Sequence, residues 1–204
     1  MYYNKELINH KLLRWERYLQ NYSLPDWKDI PDIGLYMDQV IALLTEYLDF
    51  IPSNDPKERP ITPTTINNYV RLKVMPPPNR RKYYRIHIAY LVVIFTLKQS
   101  VSISAVQQIL PNGLPEDEVR GFYHRYVEIV NDVALFFTRQ TREAAGDVLT
   151  PGGQEDDIAV THLIIQTILM GGFSGILAEK LLQLHGADPE DVLRREVEKD
   201  SREV

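Results

Sequence analysis

The segment from Arg85 to about Gln99 is apolar on nearly every side of a helix, through Ile86, Ile88, Leu91, Val92, Val93, Ile94, Phe95 and Leu97. A helix without a polar face has to be enclosed. The segment is therefore expected to be the central core helix, with the rest of the chain packed around it. Periodicity supplies partners. Residues 4–20 repeat Leu7, Ile8, Leu12, Trp15 and Leu19 at helical spacing, and Tyr36–Phe50 does so with Met37, Val40, Ile41, Leu44 and Leu48. Pro25, Pro31 and Gly34 make the intervening stretch, with Trp27 and Ile30, a turn-rich connector.

Further helices follow. Thr62 can cap one whose first turn holds Pro63, and Pro76-Pro77-Pro78 must end it. Ser102 can cap another bearing Ile103, Val106 and Leu110. Residues 116–145 form a helix with the stripe Val119, Phe122, Tyr126, Ile129, Val133 and Phe136. A loop over residues 146–153, two buried apolar helices flanking Gly171-Gly172, and a charged helix from about Asp188-Pro189 complete the reading. The fold class is mostly α, with no sheet demanded beyond a small β wing.

The stretch from Ile158 to Leu177 lacks formal charge and approaches the length that spans a bilayer. It contains Thr161, His162, Gln166, Thr167, Ser174 and three glycines, and its near flank is Glu155-Asp156-Asp157 rather than a basic cluster. No membrane association is expected. The N-terminus has no secretion-signal plan, and the absence of cysteine fits a reducing, cytoplasmic setting.

The net charge of −5 conceals an asymmetry. From Arg59 to Pro115 there is no Asp or Glu, while Arg59, Arg71, Lys73, Arg80, Arg81, Lys82, Arg85 and Lys98 fall within that window. Of the chain's 23 lysines and arginines, 15 are thus left to face all 28 carboxylates. A basic module inside an acidic protein points to a polyanionic partner.

Within that module, Ile66, Tyr69 and Val70 of the Thr62 helix follow the inward i, i+3, i+4 pattern. Thr64, Asn68 and Arg71 lie on the opposite face, with Thr65 and Asn67 beside them. Asn pairs with adenine edges, Arg with guanine, and Thr with phosphate or the thymine methyl. An ordinary solvated helix face, the plainer reading, usually carries Glu and Lys instead. The following segment, Asn79 to Arg85, packs Arg80, Arg81, Lys82 and Arg85 around Tyr83 and Tyr84, suited to phosphates and sugars. The plainer reading there is a solubilising loop with its tyrosines buried, and the two readings combine if one tyrosine packs inward.

The run Thr62 to Leu110 resembles the DNA-binding domain of MerR-family regulators. It does so through Asn68-Tyr69, Leu72-Lys73-Val74-Met75-Pro76-Pro77, Arg81-Lys82-Tyr83 and Val101-Ser102-Ile103 leading to Val106. Residues Leu35 to Val40 and Ile66 to Val70 look like the YkrK-like family of uncharacterised bacterial proteins with a MerR-like winged-helix fold. The glycine that opens the exit turn in MerR domains is replaced here near Lys73, and Tyr84 stands where a capping serine is usual.

The resemblance implies a winged helix-turn-helix. Residues 1–35 then form an N-terminal helix and connector, residues 36–112 the winged domain, and residues 113–204 a helical region for dimerisation or ligand binding. The expected function is transcriptional regulation through double-stranded DNA by a homodimer, with an unknown small-molecule effector as a further partner. Recognition helix 62–74, including Thr62 and Lys73, would enter the major groove, and wing 79–85 would lie on phosphates. A rival reading is a protein-interaction module on the same scaffold.

Enzyme chemistry is not evident. His10, His87, His124, His162 and His185 are scattered without metal-ligand spacing. Gly172-Phe173-Ser174-Gly175-Ile176 lacks both the closing glycine and the preceding strand of a nucleophile elbow. No cofactor or metal is expected. A pocket around His162 and Glu155-Asp156-Asp157 is the one enzymatic alternative.

Overall fold

A computed structural model describes residues 3–51, 61–149 and 156–190. The chain is mostly helical. Its helices are α1 (Lys5–Asn21), α2 (Met37–Tyr47), α3 (Pro63–Arg71), α4 (Arg85–Leu97), α5 (Ile103–Ile109), α6 (Glu116–Ala144), α7 (Gly146–Leu149) and α8 (Asp156–Gln183), with a 3-10 turn at Trp27–Asp29. Thr62 and Ser102 cap their helices as expected, their side chains accepting from the amides of Thr65 and Ala105. Asn4 caps α1 in the same way, accepting from the Leu7 amide.

The enclosed helix is α4. Every residue from His87 to Phe95 is buried, and α2, α5 and the first half of α6 pack around it. Val40 and Leu44 from α2, Ile66 and Tyr69 from α3, and Val119 and Tyr123 from α6 join it in one core. That core runs from Leu24 to Val127, across the change of composition at Pro115. The connector is structural too: Ile30 is fully buried, and the Tyr123 hydroxyl donates to the Pro25 carbonyl at 2.9 Å. A smaller cluster forms where Ala145, Val148, Val160 and Leu163 meet Ile8 and Leu12 of α1. Leu7 and Trp15, expected in the α1 stripe, are exposed.

Four local expectations are corrected. Gly146–Leu149 is a short helix rather than a loop. The two helices expected around Gly171-Gly172 are one continuous helix, α8, because a helical glycine costs only about 1 kcal/mol and no proline accompanies it. Nor is α8 buried: Ile158–Gln183 is long and apolar enough to cross a membrane, yet only 11% of its most apolar window is buried in its own chain. Finally, the β wing has no extended strand among the described residues. It consists of two isolated antiparallel bridges, Leu35 with Tyr83 and Asn79 with Lys82. Pro52 to Pro56, expected to end the second helix, and most of the helix expected from Asp188 lie outside the described residues.

His87 shows how the start of α4 is fixed. Its Nδ1 accepts from the Tyr84 amide at 3.0 Å, and its Nε2 lies 3.0 Å from the Pro77 carbonyl. The two bonds together define a neutral ring with the proton on Nε2, pinning the proline exit of α3 to α4. Burial lowers its pKa below the ordinary 6.5, outweighing the Pro77 carbonyl, which favours the charged ring. On acidification the unfolded chain therefore takes up this proton first. The stability from His87 is complete above about pH 6.5 and is lost as pH falls from there through the lowered folded value. His87→Gln can keep both hydrogen bonds without titrating. Urea midpoints at about pH 8 and about pH 5 should then differ more for the native protein than for the variant.

Candidate nucleic-acid interface

The helix α3 sorts its residues as the periodicity requires. Ile66 and Tyr69 are buried, with the Tyr69 ring edge-on to Phe95 of α4. Thr64, Asn67 and Arg71 are exposed on the opposite side, while Thr65 and Asn68 are half-buried. Three of these polar groups are already paired. The Thr65 hydroxyl lies 2.8 Å from that of the capping Thr62, and Arg71 Nη2 donates to Asn68 Oδ1 at 2.7 Å. The Asn68–Arg71 pair holds a guanidinium and an amide side by side on one polar surface.

α3 ends in a Schellman turn. The Lys73 amide donates to the Val70 carbonyl and the Val74 amide to that of Tyr69, both at 3.0 Å, while Val74 and Tyr69 are buried. Lys73 occupies the turn's left-handed position, at φ 56°. Glycine is the residue that adopts this backbone without strain, so the substitution found in the sequence keeps the turn and adds an exposed charge.

The same exchange recurs at the wing. Asn79 and Lys82 close a two-residue turn through bonds of 3.0 and 2.9 Å, and Arg80 and Arg81 between them have φ of 47° and 65°. Positive φ at both central positions defines a type I′ turn, which ordinarily takes Asn-Gly. Here two arginines occupy it, both exposed. Among the described residues, no carboxylate forms an ion pair with Arg71, Lys73, Arg80 or Arg81.

The base of the turn is packed tightly. Leu35 and Tyr83 exchange two backbone hydrogen bonds of 2.8 Å. A Cβ on Gly34 would lie 2.8 Å from Lys82 Cδ and 3.0 Å from Tyr84 Cζ, so any other residue there would force these two side chains to shift. The Lys82 ammonium sits 5.2 Å from the centre of the Tyr36 ring, a cation–π contact. The sequence marks Gly34 only as a breaker in the connector and Tyr36 only within the Leu35 to Val40 motif, not as parts of the interface. Their role depends on which segment pairs with the wing, which local patterning does not reveal.

Two expected contact residues turn inward. Tyr83 is 3% exposed and stands edge-on to His87, so it is a core residue. Arg85 donates from Nε to the Ile30 carbonyl at 2.8 Å and lies 3.7 Å from Asp32, tying α4 to the connector. Tyr84 remains partly exposed. The outward cations are therefore Arg71, Lys73, Arg80, Arg81 and, in part, Lys82. Lys73→Gly should raise unfolding free energy by about 1 kcal/mol, through relief of left-handed strain less the greater freedom of an unfolded glycine. Urea denaturation measures this, and no change would remove the strain argument.

Neither the curated proteins nor the solved structures contain a match to this chain. Residues 25–126 match the family model described as "Domain of unknown function (DUF1836)". The match takes in the connector, the α3 face, the arginine turn, α4 and the packed beginning of α6. As it spans half of the 204 residues, the chain belongs to the DUF1836 family.

Proposed function

We propose that this protein is a transcriptional regulator that binds duplex DNA as a MerR-like winged helix-turn-helix. In this reading α3 lies in the major groove, and the Arg80-Arg81 turn sits on flanking phosphates. The observation that carries the proposal is the occupancy of the turn. Left-handed backbone costs a non-glycine residue about 1–2 kcal/mol, and the chain bears that cost at Lys73, Arg80 and Arg81. Strained backbone that persists favours a functional explanation. Placing three cations, none ion-paired among the described residues, on turns of an acid-free module suits a polyanion with regular charge spacing.

The α3 face supplies the complementary feature. Thr64, Asn67 and the Asn68–Arg71 pair offer donors and acceptors matched to base edges, without a carboxylate among them. Asp38 lines, with Ile61, Thr62 and Pro63, the cleft between α2 and the start of α3.

Fluorescence anisotropy with random-sequence duplexes tests the reading. Affinity should fall steeply with salt, and Arg80→Ala with Arg81→Ala should reduce the slope of log K against log salt by about 2. Replacing Arg80-Arg81 by Asn-Gly should separate strain from function, raising stability by about 1–2 kcal/mol while weakening binding. Asn68→Ala or Arg71→Ala should alter the sequences recovered from a random duplex pool. A folded protein that binds no duplex at low salt would overturn the proposal, and salt-sensitive capture of an acidic protein segment instead would favour the interaction-module reading.

A further inference from the structure

An asparagine with both edges free matches adenine, its carbonyl accepting from the N6 amino group while its amide donates to N7. Asn68 of α3 is not free. Its Oδ1 accepts from Arg71 Nη2 at 2.7 Å, one turn along the helix. Chemistry fixes which way the amide faces, since a guanidinium carries donors only and the oxygen has to meet it. What the pair has left to offer is N–H, from Asn68 Nδ2 and from the rest of the guanidinium. Among the described residues none of these hydrogens meets a protein acceptor. Arg71 is exposed, Asn68 is half-buried, and α3 contains no carboxylate.

We infer that Asn68 and Arg71 read guanine as one unit, with Arg71 on the base and Asn68 as the residue that positions it. This rests on α3 lying in the major groove, and it changes the role of Asn68 from an adenine contact to a holder of the guanidinium. Each base shows that groove a different pattern. Guanine presents two acceptors, O6 and N7, whereas adenine and cytosine present amino donors. A cationic surface of donors alone complements the first and repels the other two. Thymine offers the single acceptor O4 beside its methyl group, which leaves a second donor unmatched. An untethered arginine also pairs with guanine, but it gives up the rotamer freedom of a long side chain in doing so. Here the bond to a half-buried neighbour has already restricted that freedom, and preorganisation of this kind adds to affinity. Asn67 supplies the contrast. It is exposed, its amide engages nothing among the described residues, and it stands about 100° round the helix from Asn68. Asn67 is thus the asparagine of α3 that keeps an adenine-type edge.

The test begins with duplexes selected by the native protein from a random pool, each guanine of the site being replaced in turn by 7-deazaguanine. Binding should weaken about fivefold or more at the guanine that meets Arg71, through loss of its N7 acceptor. Inosine there should bind as guanine does, because it keeps O6 and N7 and lacks only the minor-groove amino group. Arg71→Ala and Asn68→Ala should relax preference at that same base pair, and the double variant should lose no more than Arg71→Ala alone. Asn68→Asp retains an oxygen facing Arg71, so guanine preference should persist while overall affinity falls. Asn67→Ala should leave that base pair unchanged. Selection of adenine at the position that Asn68→Ala affects, different base pairs for the Asn68 and Arg71 variants, or indifference to 7-deazaguanine at every guanine would overturn the inference while leaving duplex binding intact. The modified-base measurement uses native protein alone, so it decides the matter even if a variant fails to fold. Absence of duplex binding by the native protein would overturn both this inference and the reading on which it rests.

Discussion

The five residues from Tyr83 to His87 hold the basic module together. Tyr83 exchanges backbone bonds with Leu35, the Tyr84 amide meets His87, Arg85 reaches the Ile30 carbonyl, and His87 meets that of Pro77. Connector, wing and α3 exit are thus all referred to the first turn of α4, and α4 is the most deeply buried helix. Long-range hydrogen bonds to a rigid element fix the positions of exposed side chains far better than the loops that carry them could alone. The arginine turn has a defined position for this reason, despite lacking a strand on either side.

That rigidity explains how the chain tolerates its backbone. Three cationic residues in left-handed conformations cost together a few kcal/mol, a large share of the stability of an ordinary domain. A loosely held loop would relax away from such angles. Here the Schellman bonds after α3 and the paired bonds closing Asn79–Lys82 keep them in place. The three cations are thereby held at fixed places on the surface.

The two ends of the molecule rest on different physics. From Leu24 to Val127 a continuous core encloses α4, and apolar side chains find partners within the chain. Past Val127 the helices outgrow what α1 and the small cluster at Val148 can cover. There α8 leaves apolar side chains bare along its length, only 11% of its most apolar window being buried.

Much of this was legible from residues. The enclosed α4, the caps at Thr62 and Ser102, the inward Ile66 and Tyr69 and the outward Thr64, Asn67 and Arg71 all follow from periodicity and local hydrogen bonding, which act within a few residues. The concentration of positive charge is composition and needs no fold. Other features depend on which segments meet. Arg85 and Tyr83 read as contact residues because their neighbours in sequence are basic, yet their neighbours in space are Ile30, Asp32 and His87. Gly34 and Tyr36 gain their roles from a wing 45 or more residues away. The glycines of α8 suggested a break that continuous backbone bonding overrode, and its apolar composition suggested burial that no other described segment supplies. The sequence by itself determined which stretches are helical, which faces are apolar and where the charge lies, because those are short-range properties. Tertiary structure alone decided which arginines point outward and which apolar faces stay bare, because both depend on contacts between segments far apart in the chain.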